Sequence, residues 1–208
     1  MIPQEQFRTV CFECFKPGKL CICDRVTRVE NRTRILIIQH PDERNHPIGT
    51  ARIAALALAN SELRIAYPDS EGTLTAGRNN LVNAGILYPA PFARNLSELE
   101  PAERPDSLIV LDGTWKQAYK LRKEIHWLAG LPHFMLRPPA PSNYRIRKEP
   151  RDDFISTIEA IAQALFVLEP QTPHIQGLLD TFDAMIDDQR ECIRNGTGRR
   201  KKLRRSPG

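Results

Sequence analysis

Long apolar runs are missing from this 208-residue chain. None approaches the roughly 20 residues that a membrane-spanning helix needs, which argues against a helical membrane protein. The opening stretch MIPQEQFRTV lacks the apolar core of a secretory signal, and the expectation is a cytoplasmic location. No internal repeat is visible. Negative charge is missing from one conspicuous stretch: RRKKLRR, at 199–205, carries six positive charges and none of the opposite sign. Without it the formal net charge falls from +5 to −1. Such a stretch reads either as a contact for polyanions or as a plain solubilising tail. What is present, at 41% hydrophobic residues, is enough apolar material for one α/β domain with a small appendage.

Cysteine is absent from most of the chain and concentrated where it occurs. Four of the five lie in CFECFKPGKLCIC, as Cys11, Cys14, Cys21 and Cys23; Cys192 stands alone. With no secretory signal to suggest an oxidising compartment, disulfides are disfavoured. Four thiolates at this spacing can surround one tetrahedral Zn²⁺, and Pro17-Gly18 supplies the turn between the two pairs. A disulfide pair or an iron–sulfur cluster is the competing reading. Four sulfur ligands leave no open position, so a zinc ion here is structural.

Further along, short apolar runs alternate with helical patterns. Strands are expected at 34–39, 63–68, 86–89, 107–111 and 134–138. Helices are expected at 50–60, from Trp115 onward, at 152–169 and at 172–192, the last two amphipathic. This alternation predicts a mostly parallel sheet flanked by helices. Ligands in such sheets bind beyond the carboxyl ends of the strands. Here those ends read QHP, YPAP, LDGTW and LRPPAP.

LDGTWKQ is the most informative junction. Thr114 and Gln117 have the spacing of a capping box, in which hydroxyl and amide satisfy each other's backbone N–H. The helix can then begin without Asp112, which leaves a carboxylate at a strand end before Gly113. The ordinary alternative makes Asp112 the cap. Trp115 also has two readings, since it shares a helical face with the apolar Ala118, Leu121 and Ile125. Ser156 and Glu159 repeat the capping-box spacing. Lys116, Lys120 and Lys123 share one face of the helix, either toward RNA or toward solvent.

Asp112-Gly113-Thr114-Trp115 resembles the signature of the DTW-domain tRNA-uridine aminocarboxypropyltransferases. CFECFKPGKLCIC, HPDERNHPIGTAR, ILYP and YRIRKEPRDDFISTIEA resemble further segments of the same family, in the same order. The resemblance implies a fold related to the SPOUT methyltransferases, with the chain knotted near an S-adenosylmethionine (SAM) site. It implies transfer of the 3-amino-3-carboxypropyl group from SAM to N3 of a tRNA uridine, giving acp3U and methylthioadenosine. The family resemblance makes Asp112 the catalytic candidate, either as the base for the N3 proton or as an orienter of the uracil. Tyr88, Pro89, Leu111, Gly113, Thr114, Trp115, Thr157 and Glu159 are the candidates for the SAM site, with RPPAP (137–141) as a further wall. Arg145, Arg147, Lys148 and Arg151, together with Arg199, Arg200, Lys201 and Lys202, are the candidates for tRNA contact. The expected organisation is a zinc-binding segment at 1–30, the DTW catalytic domain at 31–192 and a basic tail at 193–208. The expected partners are tRNA and SAM, with no membrane and no obligate protein partner. A SPOUT-like RNA methyltransferase and a non-catalytic, zinc-dependent RNA-binding module are the rivals.

Overall fold

A computed structural model describes residues 9–67, 74, 77–137 and 155–195. Its sheet comprises β1 (Arg34–Gln39), β2 (Ser61–Ile65), β3 (Ala84–Leu87), β4 (Arg94–Asn95), β5 (Ser107–Asp112) and β6 (His133–Met135). The lateral order is β2-β1-β5-β3-β6-β4, and every pairing is parallel. Among the described residues it is accompanied by the helices α1 (Ala51–Ala57), α2 (Trp115–Glu124), α3 (Thr157–Leu168) and α4 (Gln176–Arg194).

The near-continuous apolar sequences of β1 and β5 follow from their central position, because a parallel sheet is covered on both faces. Successive side chains point to opposite faces. Ile35, Ile37, Leu108 and Val110 join α1, α3 and α4 in one core. Leu36, Ile38, Ile109 and Leu111 join Ala118 and Leu121 of α2 in the other. Single apolar side chains buried this way contribute about 1.5–3 kcal/mol each.

Several boundaries differ from those expected. The second strand begins at Ser61 rather than 63 and ends at Ile65, because it follows β1 from Ile35↔Ser61 to Gln39↔Ile65. It is an edge strand, half-buried throughout, so its polar Ser61 and Glu62 carry no apolar signal. The third begins at Ala84 and stops at Leu87, leaving Tyr88-Pro89 beyond it. Gly85 is required there, since a Cβ would run into the Phe134 ring of neighbouring β6. The sixth spans only His133–Met135, and the two-residue β4 beside it had no periodic pattern to reveal it.

At the amino end of β1, Glu169 is 1% exposed. It accepts hydrogen bonds from the backbone N–H of Arg32 (2.8 Å) and Thr33 (2.9 Å) and from the Thr172 hydroxyl (2.6 Å). The cysteine segment packs on the first core: Cys14, Ile22 and Val29 are buried in it. Arg25 pairs with Asp188 of α4, the Thr181 hydroxyl donates to the Arg25 carbonyl (3.0 Å), and Arg52 of α1 donates to the Glu13 carbonyl (2.7 Å).

Candidate active site and metal centre

Asp112 ends β5, level with Gln39 at the end of β1. It is 7% exposed, so its polar atoms need partners. Gln39 Nε2 donates to Oδ2 at 2.8 Å, and the Thr157 hydroxyl, from the first residue of α3, donates to Oδ1 at 2.6 Å. Three separate elements thus fix one carboxylate. The capping alternative for Asp112 is excluded by the next turn. Thr114 N–H donates to Gln117 Oε1 (2.7 Å) and Gln117 N–H donates to Thr114 Oγ1 (3.3 Å), so α2 is capped without it.

Gly113 makes the close turn possible. A Cβ there would lie 3.0 Å from Gln117 Cβ and 3.4 Å from His40 Cβ. The loop after β1 is tied to the same junction: His40 N–H donates to the Asp112 carbonyl (2.8 Å), and Gln117 Nε2 donates to Asp42 (3.3 Å). His40 itself turns inward on its own loop, accepting from Asp42 N–H at 3.3 Å.

Trp115 is half-buried, unlike Ala118, Leu121 and Ile125 on the shared face. Its ring meets Tyr88, one residue past β3, with centroids 6.3 Å apart and planes tilted by 59°. The aromatic pair therefore bridges the ends of β3 and β5. Leu111 lies in the second core. Pro89 is exposed. Ser156 and Glu159 form the second capping box: the Ser156 N–H and hydroxyl both donate to Glu159 Oε2, at 2.7 and 2.6 Å. The structure therefore unites Asp112 with Thr157, and Tyr88 with Trp115. A cleft of about 530 Å³ opens nearby, beyond the ends of β1 and β2, with His40, Tyr67, Lys120 and Trp127 in its walls; Asp112, Tyr88 and Trp115 do not line it.

Gln39 was missed as a site residue, although the polar QHP closing an apolar strand was its signal. Arg145, Arg147, Lys148, Arg151, residues 138–141, and Arg199, Arg200, Lys201 and Lys202 lie outside the described residues. Of the three lysines on α2, Lys120 meets Glu124 at 3.7 Å, while Lys116 and Lys123 are exposed.

The cysteines form a second centre. All five are free thiols. The four ligand sulfurs lie within 4.8 Å of one another, with Cys11–Cys23 at 3.6 Å and Cys14–Cys21 at 3.8 Å. A tetrahedral ion with metal–sulfur bonds of about 2.3 Å sets its ligands about 3.8 Å apart, so the group could hold such an ion. Backbone N–H groups of Cys14 and Glu13 draw the Cys11 thiol down to about 6, whereas burial and the neighbouring thiols push Cys23 up. Four adjacent sulfurs resist ionising together, and a cation relieves that conflict. Burial draws the Lys16 ammonium beside them down to about 8 against the opposing pull of Cys14; it donates to the Pro47 carbonyl at 2.7 Å.

A Mus musculus protein named tRNA-uridine aminocarboxypropyltransferase 2 is 32% identical over 194 residues, covering 88% of this chain and 64% of that protein. Its Macaca fascicularis namesake is 28% identical over 193 residues, with the same two shares. An Arabidopsis thaliana protein, tRNA-uridine aminocarboxypropyltransferase A, is 24% identical over 230 residues, covering 95% of this chain and 87% of that protein. The chain thus spans 64% of the length of its mouse and macaque relatives. No solved structure matches. The DTW domain model matches residues 8–190, taking in the cysteine group, the parallel sheet and the Asp112 junction, and the chain belongs to the DTW domain family.

Proposed function

We propose that this protein transfers the 3-amino-3-carboxypropyl group of SAM to N3 of a tRNA uridine. The observation that carries the reading is Asp112: a buried carboxylate at a strand end, fixed by Gln39 and Thr157 and not used as a helix cap. The names of the relatives supply the substrate class.

The reaction joins uridine N3 to the γ-carbon of the amino-acid chain. The carbon–sulfur bond breaks, its electron pair stays on sulfur, and methylthioadenosine leaves as a neutral thioether. The N3 proton must depart, because the neutral imide is a poor nucleophile. Asp112 takes that proton or holds the uracil edge while it leaves. Each carboxylate oxygen has two lone pairs, so an oxygen that accepts from Gln39 or Thr157 can also accept from a substrate N–H. SAM supplies an electrophilic carbon beside a cationic sulfur. Tyr88 and Trp115 offer aromatic faces suited to its adenine and its cation. Gly113, Thr114 and the α3 amino end with Thr157 and Glu159 complete its expected surroundings, with Leu111 and Pro89 as apolar walls. Holding one of three electrophilic carbons in line with N3 is much of the catalysis.

Arg145, Arg147, Lys148, Arg151 and the 199–202 cluster are suited by charge to backbone phosphates. A SPOUT-like knot around the site, a cytoplasmic location and the division at 1–30, 31–192 and 193–208 belong to the same reading. No helix among the described residues is long and apolar enough to cross a membrane.

Nucleoside mass spectrometry of tRNA incubated with protein and SAM tests the proposal. The expected product is acp3U with methylthioadenosine. A methylated uridine would favour the methyltransferase rival, and no product without SAM binding would favour the RNA-binding module. Elemental analysis should find one zinc per chain on Cys11, Cys14, Cys21 and Cys23; two disulfides and no metal would refute that assignment.

A further inference from the structure

The proposed reaction constrains its substrate in a way that draws attention to the outer face of α2. N3–H of uridine is the donor in base pairing. A uridine alkylated at N3 must therefore be unpaired and turned out toward the enzyme, which removes a stacking neighbour from the adjacent nucleotide. RNA-binding proteins commonly replace such lost stacking with an aromatic ring or a guanidinium plane.

Such a surface leads away from the Asp112 junction. Trp115, Tyr119 and Arg122 recur at helical spacing along one face of α2. Tyr119 is 51% exposed. The Arg122 guanidinium lies over the Tyr88 ring at 5.1 Å and over the Tyr119 ring at 5.7 Å. Lys123 Nζ lies 5.8 Å from the Tyr119 ring. Tyr88 meets Trp115 in turn, so cations and rings form one connected row from the β3 and β5 ends outward.

The charges in this row meet no carboxylate among the described residues. Arg25, Arg34, Arg64 and Arg94 each reach a carboxylate. Arg122 and Lys123 form no ion pair among the described residues, and the buried Arg122 Nε has no hydrogen-bond partner there. An exposed aromatic ring carrying two cations with no carboxylate partner among the described residues suits a ligand with flat bases and negative charges. It is poorly suited to an acidic peptide, which would leave the ring face unused.

We propose that Tyr119, with Arg122 and Lys123, forms a stacking shelf for the unpaired nucleotide next to the target uridine. Tyr119 takes the base on its exposed ring, Lys123 meets the flanking phosphate, and Arg122 spans the shelf and the Tyr88–Trp115 pair. The inference rests on the tRNA reading given above.

The test uses the full chain, SAM and a tRNA that the wild-type protein modifies. Tyr119→Ala should raise KM for tRNA by roughly 10-fold, within the range of a lost base stack, with the rise falling on KM rather than kcat. SAM affinity and thermal unfolding should match wild type. Tyr119→Phe, which keeps the ring, should restore tRNA binding. Lys123→Ala should reduce the slope of log affinity against log salt by about one, whereas Tyr119→Ala should leave that slope in place. A wild-type KM for Tyr119→Ala, or a Phe variant as impaired as the Ala variant, would overturn the shelf while leaving the transferase intact. A wild-type protein that neither binds nor modifies tRNA would overturn both.

Discussion

Two buried carboxylates sit at opposite ends of the same sheet. Glu169, at the amino end of β1, is 1% exposed, and Asp112, at the carboxyl end of β5, is 7% exposed. Burial is similar, but the donors differ. Glu169 accepts from two consecutive backbone N–H groups and a hydroxyl three residues away. Asp112 accepts from the side chains of Gln39 and Thr157, each on a different element. Glu169 clamps the start of a strand to the end of α3. Asp112 is presented by side chains, beside a glycine turn, where substrate is expected in a parallel sheet. Shared burial thus says little about role; the proposed difference between a lock and a catalytic group lies in what donates to the carboxylate.

Asp112→Asn breaks the comparison most strongly if the assignment holds. The variant should fold and bind SAM, yet lose about 10²–10⁴-fold in single-turnover rate, the usual loss for a removed general base. The assay needs saturating SAM and tRNA, with thermal unfolding measured alongside. Near wild-type turnover would return Asp112 to a structural role.

How much of this contrast the sequence carried depends on distance along the chain. Both capping boxes were legible because Thr114–Gln117 and Ser156–Glu159 are local patterns. The apolar runs of β1 and β5 were legible because both faces of those strands are covered. The cysteine group was legible from spacing alone. The contacts that define the site were not, since Asp112 meets Gln39 across 73 residues and Thr157 across 45. Trp115 was ambiguous for a related reason: its spacing matches the apolar Ala118, Leu121 and Ile125, and its half-burial and contact with Tyr88 depend on the end of β3, far away in sequence. Strand order and the short β4 depend on pairing partners, which no single segment encodes.

Glu169→Gln sharpens the comparison from the other end. Removing one acceptor from a cluster of buried donors should cost about 1–3 kcal/mol of stability, read by chemical denaturation. Turnover per folded molecule should stay near wild type. A selective loss of rate without loss of stability would make Glu169 the more active carboxylate and invert the scheme.

Thr157→Val gives the smallest effect and the finest test. It removes one donor to Asp112 while the Ser156–Glu159 box still caps α3. A rate loss of roughly 10-fold at saturating SAM and tRNA, with stability little changed, corresponds to about 1.4 kcal/mol. A fall in stability of that size with rate intact would mean that Thr157 anchors the helix rather than the carboxylate.

The long reach of those two hydrogen bonds has a kinetic consequence. Gln39, Asp112 and Thr157 meet only after the chain has closed two large loops, and closure entropy makes such non-local contacts slow to form. Stopped-flow refolding should therefore restore helical circular dichroism well before activity. Catalysis would report completion of the native topology, because Gln39, Asp112 and Thr157 come together only when β1, β5 and the start of α3 are all in place.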